Sequence, residues 1–385
     1  EIAQCLVGSE MCIRDRVLAA LFCAAVLINV VSWFCKPAVS WYRRYIFPLW
    51  TNTLARVMSV FPFSVGEILI YCGIFVILFA LVLPVTALVF RSEKMKKFRR
   101  GYFRFVVWVI AWVVLTETLN CFVLYHAPTV EEEYYDNRTY GKEELLLVYQ
   151  ELVTRANELS GMMQRDADGN VVYGGDMYAA CKTAMQNLGT EYPYLSGYYP
   201  NPKKIASSDF MSQQYLCGIY FPFTLEANYN GTMYLVNDAA TICHEFSHLK
   251  GVILEDEANY FGFLACIQSE DPFLQYSGYL SALNYVAGEV KKVASEEERA
   301  ALPAVNEWVL KDIVFLTDEA WERVEKKAVV STETANQATD KFLQSNLKAN
   351  GVSDGMVSYS RVVRLLLDYY NGKLLSLLHI SEPTR

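Results

Sequence analysis

Three long apolar runs constrain this chain more than any other feature. Residues 17–35 hold 19 positions without a charge, and residues 68–90 hold 23. Residues 105–125 carry a single acid, Glu117, in a stretch rich in Val and Trp. A helix crosses ~30 Å of hydrocarbon with about 20 apolar residues, so each run predicts a membrane span. Trp33, Trp41, Tyr42 and Phe103 sit near the ends, where aromatic side chains favour the interface. The first run lacks a small-residue cleavage pattern and is read as an anchor rather than a removable signal. Glu117 is read as facing the other helices near the outer end of its span.

Charge divides the chain in the same place. Residues 1–123 carry 13 Lys/Arg and 6 Asp/Glu, a net of +7, whereas residues 124–373 carry 20 and 35, a net of −15. That is the pattern of a basic membrane anchor (17–123) followed by an acidic aqueous domain (124–373). An acidic domain repels phosphates, so nucleic acid is excluded as a partner. Arg91, Lys94, Lys96, Lys97, Arg99 and Arg100 crowd the loop between spans two and three. Such a cluster marks the cytoplasmic side and places residues beyond about 124 outside, in a multi-pass membrane protein. The segment 41–63 is amphipathic and is expected to lie along the outer surface. Both ends look foreign: residues 11–16 (MCIRDR) and 376–385 (SLLHISEPTR) resemble translated sequencing-adapter ends. Residues 1–16 and 376–385 are therefore set apart from the fold.

Helical periodicity dominates residues 124–373, at 142–159, 176–188, 239–250, 255–268, 276–292, 304–315 and 318–328. Residues 220–233 (YFPFTLEANYNGTM) read as one or two short strands with a turn at Asn230-Gly231. The expected class is mostly α, with a small β-sheet. Cys181, Cys217, Cys243 and Cys266 match no zinc-finger spacing. A disulfide is permitted outside the cytoplasm, and buried free thiols fit equally well. Asn137-Arg138-Thr139 and Asn230-Gly231-Thr232 are glycosylation triplets of low specificity.

The chemistry lies at residues 244–248, HEFSH, which fit H-E-x-x-H. Positions i and i+4 share a helix face, so His244 and His248 can aim at one ion. Glu245 is then the base that takes a proton from the attacking water. The chain has only four histidines, and one of them, His379, falls in the suspected adapter. His126 follows the third span directly and is read as an interfacial residue.

A zinc site of this kind needs a third protein ligand. Position 254 is Leu, so the extended metzincin pattern fails. Glu255, Asp256 and Glu257 are the nearest carboxylates. In one straight helix Glu255 would lie ~16 Å along the axis from His244, too far to share an ion. The helix must therefore stop, with Gly251 placed to end it, and a second helix must fold back. Glu255 is the expected ligand, Glu257 the alternative. Asn259 lies four residues after Glu255, and its amide oxygen can accept a hydrogen bond from a ligand imidazole. Tyr359 and Arg361, with Tyr234, are candidate stabilisers of a developing oxyanion.

Residues 241–262 (TICHEFSHLKGVILEDEANYFG), behind three N-terminal spans, resemble the bacterial membrane family called domain of unknown function 3810. FPFSVGE from Phe61 and GMVSYSRVVRLLL from Gly355 extend the resemblance. It implies a zincin-like outer domain of the glutamate-zincin type and a metallohydrolase, without naming a substrate.

The expected function is a membrane-anchored zinc metallopeptidase acting on a peptide or protein outside the cytoplasm, with Zn²⁺ as cofactor and the lipid bilayer as its other partner. Two alternatives stand beside it. One is a non-catalytic metal-binding sensor or scaffold; the other is a zinc amidase acting on a cell-envelope substrate. The intact Glu245 favours catalysis, since a purely structural metal site needs no base.

Overall fold

The computed structural model describes residues 2–86, 92–136, 138–351 and 359–375, without the side chains of 2–12, 359, 360 and 375. The chain is mostly helical with a small three-stranded sheet, and it divides into two units. One comprises residues 1–127 with 221–226, and the other 128–220 with 227–385. The boundary thus falls at Ala127, and a six-residue turn from the second half belongs with the membrane helices.

The first unit contains three helices long and apolar enough to cross a membrane: Ile13–Phe34, Val65–Val82 and Glu93–His126. Leu27, Phe75, Leu81 and Phe105 stand exposed along them, a surface that lipid tolerates and water does not. The second helix begins where the Ser64 hydroxyl accepts the Glu67 N–H at 3.1 Å. It ends at Val82, two residues before Pro84, short of the residue 90 expected. Residues 87–91 lie outside the described ones. The third helix is capped by Ser92 and continues through a wide turn, Thr118–Phe122, to a final tight turn, Val123–His126.

Polar contacts tie these apolar helices together. Asn29 donates to the Thr118 hydroxyl at 2.9 Å, and Tyr102 to the Val76 carbonyl at 2.6 Å. With few water molecules to compete, such bonds hold apolar helices in register. Within the same unit, the buried Glu226 carboxylate accepts the Val65 and Gly66 N–H groups at 3.1 and 2.7 Å. These are orphan donors at a helix start, where the dipole favours an anion. Asn120 secures the same turn by donating to the Pro222 carbonyl at 2.7 Å. His126 packs on Trp33, ring centroids 4.6 Å apart.

The second unit is a helical body around residues such as Val148, Leu152, Phe246, Phe261, Leu274 and Val286, all fully buried. Its main helices are Lys142–Ser160, Met177–Leu188, Asp238–His248, Glu255–Ile267 and Pro272–Val293. These match the sequence periodicity within a few residues. The expected helix at 304–315 is reduced to Glu307–Asp312, and Thr332–Ala349 and Tyr359–Tyr370 are additional. Asp312, wholly buried, accepts hydrogen bonds from Arg165, Tyr234 and Tyr276. Full satisfaction of a buried carboxylate makes this a rigid brace.

The sheet runs β1 (Lys203–Lys204), β3 (Glu226–Tyr229), β2 (Gly218–Phe221), with β1 parallel to β3. Its connection differs from the expected one. The chain reverses between β2 and β3 at residues 222–225, where Leu225 takes a positive φ of 52°. Asn230 is buried instead, donating to the Ser212 hydroxyl and the Leu216 carbonyl. The expected turn at Asn230-Gly231 is present, with the Met233 N–H on the Asn230 carbonyl at 3.4 Å and the Thr232 N–H on its side-chain oxygen at 2.9 Å, but it follows β3 and does not join β2 to β3. Asn137 of the other triplet lies outside the described residues.

Candidate metal centre

The site is assembled by a helix stop. Helix Asp238–His248 carries both histidines, and Gly251 follows it with φ +80°. The Gly251 N–H returns to the His248 carbonyl at 3.0 Å, and the Val252 N–H to the Ser247 carbonyl at 3.2 Å. This paired closure uses the left-handed conformation that glycine adopts without strain. Three residues later helix Glu255–Ile267 begins, led by Glu255, Asp256 and Glu257, whose charge suits a helix N-terminus. The two helices pack closely because of Gly262. A Cβ there would lie 2.9 Å from the Ala240 carbonyl oxygen and 3.3 Å from the His244 nitrogen.

That packing brings Glu255 back to the imidazoles. Its carboxylate oxygens lie 3.2 Å from His244 Nε2 and 3.8 Å from His248 Nε2, and the two Nε2 atoms are 3.1 Å apart. Among the described residues, His244, Glu245 and His248 offer ligand atoms within 4.8 Å of one another. Each ring is oriented from behind. The Asn259 side-chain oxygen accepts from His244 Nδ1 at 2.8 Å, and the Val252 carbonyl from His248 Nδ1 at 2.7 Å. Acceptor oxygens at both Nδ1 positions leave the Nε2 lone pairs for a ligand.

Electrostatics follow from this crowding. Burial alone would lower His244, but the hydrogen bond and charge of Glu255 carry it up to about 9. His248 is pushed down to about 4 by burial, against the pull of Glu255. Desolvation opposes ionisation of Glu255, yet the His244 hydrogen bond and both imidazoles bring it down to about 2. Burial raises Glu245 to about 8, and among the described residues its Oε2 has no hydrogen-bond partner. Two imidazole nitrogens, a carboxylate and an orphaned carboxylate oxygen around one point fit a divalent metal cation. The group can therefore hold a metal ion.

The other candidates go elsewhere. Glu257 accepts the Val130 N–H at 2.7 Å and is committed to that helix start. Asp256 is buried, which raises it to about 6 against the charge of Arg361. Tyr234 donates to Asp312 and accepts the Val171 N–H at 2.8 Å, a structural role. The side chain of Tyr359 lies outside the described residues. Cys181, Cys217, Cys243 and Cys266 are free thiols.

Two neighbours of the site were not legible in sequence. A Cβ on Gly218 would come 2.3 Å from Glu245 Oε1, so this strand residue walls the carboxylate with bare backbone. Tyr220, two residues on, sets its ring 5.9 Å from that of His248. A glycine and a tyrosine among 20 and 26 of their kind give no local signal; only the sheet brings them here.

Neither the curated proteins nor the solved structures contain a match to this chain. One family does: the profile described as "protein of unknown function (DUF3810)" matches residues 42–367, which take in the second and third long apolar helices, the HEFSH helix and the helix that returns Glu255, and the chain belongs to that family.

Proposed function

We propose that the protein is a membrane-anchored, zinc-dependent metallopeptidase that hydrolyses peptide bonds outside the cytoplasm from a zincin-like helical domain. The observation that carries this reading is the meeting of His244, His248 and Glu255 beside a buried Glu245 whose Oε2 has no partner. His244, His248 and Glu255 would hold the zinc, which supplies a Lewis acid for polarising a carbonyl and acidifying water. Glu245 receives the proton of the attacking water and returns it to the leaving amine. Its burial and its unpartnered Oε2 among the described residues suit a group that must both take and give a proton. Asn259 and the Val252 carbonyl keep the imidazoles turned toward the ion. Strand β2 lies at an edge of its sheet and starts beside Glu245. An extended peptide that pairs with such an edge runs past the base. The basic cluster at 91–100 supports an outer location for the domain.

The test uses the purified full chain. Metal analysis is expected to find about one zinc per chain, and a peptide library to reveal cleavage. Glu245→Gln should keep the metal and lose about 10²–10⁴-fold in rate, the usual worth of a general base. A chain that binds no metal, or a variant that cleaves equally well, overturns the proposal.

A further inference from the structure

Within the second unit a cavity of about 420 Å³ lies between helix Lys142–Ser160, the last turns of helix Pro272–Val293 and residues 299–305. That volume suits a small molecule. Val290, Leu302 and Val305 give it an apolar wall, and Lys291, Arg299 and Tyr149 are its polar groups. None of its lining residues is an acid. The wall is fastened from outside: Asn157 donates to the Ala304 carbonyl at 2.9 Å and accepts the Asn306 N–H at 2.9 Å.

Residues 124–373 carry a net charge of −15, yet the two cations here stand without an acid. Among the described residues Lys291 has no ion pair or hydrogen bond, and Arg299 donates its Nε alone, to the Ser295 carbonyl at 3.4 Å. The acids nearest to them in sequence are committed elsewhere, Glu289 to Lys292 at 2.7 Å and Glu298 to Lys142. Glu298 also closes the start of helix Glu296–Ala301 in a capping box with Ser295. An anion in the cavity therefore meets side chains rather than free backbone amides. The Tyr149 hydroxyl has no partner among the described residues, and burial raises its pKa, so it stays a neutral donor.

An inorganic anion would answer the cations and waste the apolar wall; an uncharged hydrocarbon would do the reverse. We propose that the cavity binds an aliphatic carboxylate, its head on Lys291, Arg299 and the Tyr149 hydroxyl and its chain along Val290, Leu302 and Val305. A guanidinium pairs with a carboxylate through parallel N–H donors, and the chain gains by leaving water. The inference is independent of the metal centre.

The test is photo-crosslinking of the full chain in detergent, with an octanoate that carries a diazirine on its chain, followed by peptide mapping. The wild type should be labelled at 287–305 and around Tyr149. Excess octanoate should remove that label, whereas octanol, which lacks the charge, and acetate, which lacks the chain, should leave it. Lys291→Gln with Arg299→Gln should abolish labelling there. Lys326→Gln with Lys341→Gln removes the same charge from residues outside the cavity lining and should preserve it. Label confined to other segments overturns the proposal, as does competition by octanol or acetate equal to that by octanoate. Both readouts use the wild type and stand even if the cavity variant fails to fold. An equal loss of label in both double variants overturns it too.

Discussion

Asn259 holds His244 by its Nδ1, with 2.8 Å between the imidazole nitrogen and the amide oxygen. The contact joins two helices through a metal-site residue, and it fixes which ring nitrogen faces Glu255. Replacing Asn259 by Ala should leave the fold intact and free the ring to rotate. Metal affinity is expected to fall by about 10–100-fold, the usual effect of losing an outer partner of a ligand. Titration against a competing chelator measures it; an unchanged affinity would show that packing alone orients His244.

Gly262 tests the spacing of the same helices. An alanine Cβ would press on the Ala240 carbonyl and the His244 backbone, neither of which can swing aside. Gly262→Ala should cost about 1–3 kcal/mol through overpacking and should weaken metal binding with it. Thermal melts with and without zinc report both effects. A loss of stability with unaltered metal affinity would mean that the helices separate without disturbing the ligands.

In the membrane unit, Glu226 satisfies the Val65 and Gly66 N–H groups and the Thr224 hydroxyl. Glu226→Ala strands these buried donors, at about 1–3 kcal/mol for each one left unsatisfied. Glu226→Gln keeps an acceptor and should lose less. Melting of the detergent-solubilised chain should rank wild type above Gln and Gln above Ala.

Asp238 gives a pH prediction. Its side chain is buried, its Oδ1 has no partner among the described residues, and burial raises its pKa to about 7 despite the charge of Lys204. The folded state therefore binds a proton that the unfolded state has released between about pH 4 and 7. Stability linked to this group is full below pH 4 and falls as pH rises to 7, by on the order of 2–4 kcal/mol. Asp238→Asn should flatten that limb of the stability–pH curve. A denaturant series at pH 4.5, 6 and 7.5 checks it, and an unchanged slope would locate the effect in another group.

Reading the chain without its structure went furthest where chemistry is local. The apolar runs, the HEFSH pair and the need for a helix stop at Gly251 all depend on residues a few positions apart, and periodicity and rise per residue settle them. The turn at Asn230-Gly231 was legible for the same local reason, but that it closes β3 while the β2–β3 reversal falls at 222–225 was not, because tertiary bonds from Asn230 to Ser212 and Leu216 set its place in the fold. Glu255 was ranked ahead of Glu257 from the sequence, but the commitment of Glu257 to the Val130 N–H, 127 positions away, lay beyond any local pattern.

The sequence by itself determined a mostly helical chain with three runs apolar enough to cross a membrane, and two histidines on one helix face with a glutamate between them. Tertiary structure decided how the expected carboxylate reaches them and where its alternative goes. Gly262 allows the close approach that brings Glu255 to both imidazoles, while the Val130 N–H draws Glu257 away. The wall of the site was decided in the same way, because Gly218 and Tyr220 reach Glu245 and His248 only through the sheet. Periodicity is a property of neighbours along a chain, whereas a metal site is a meeting of segments, and their packing chooses the partners.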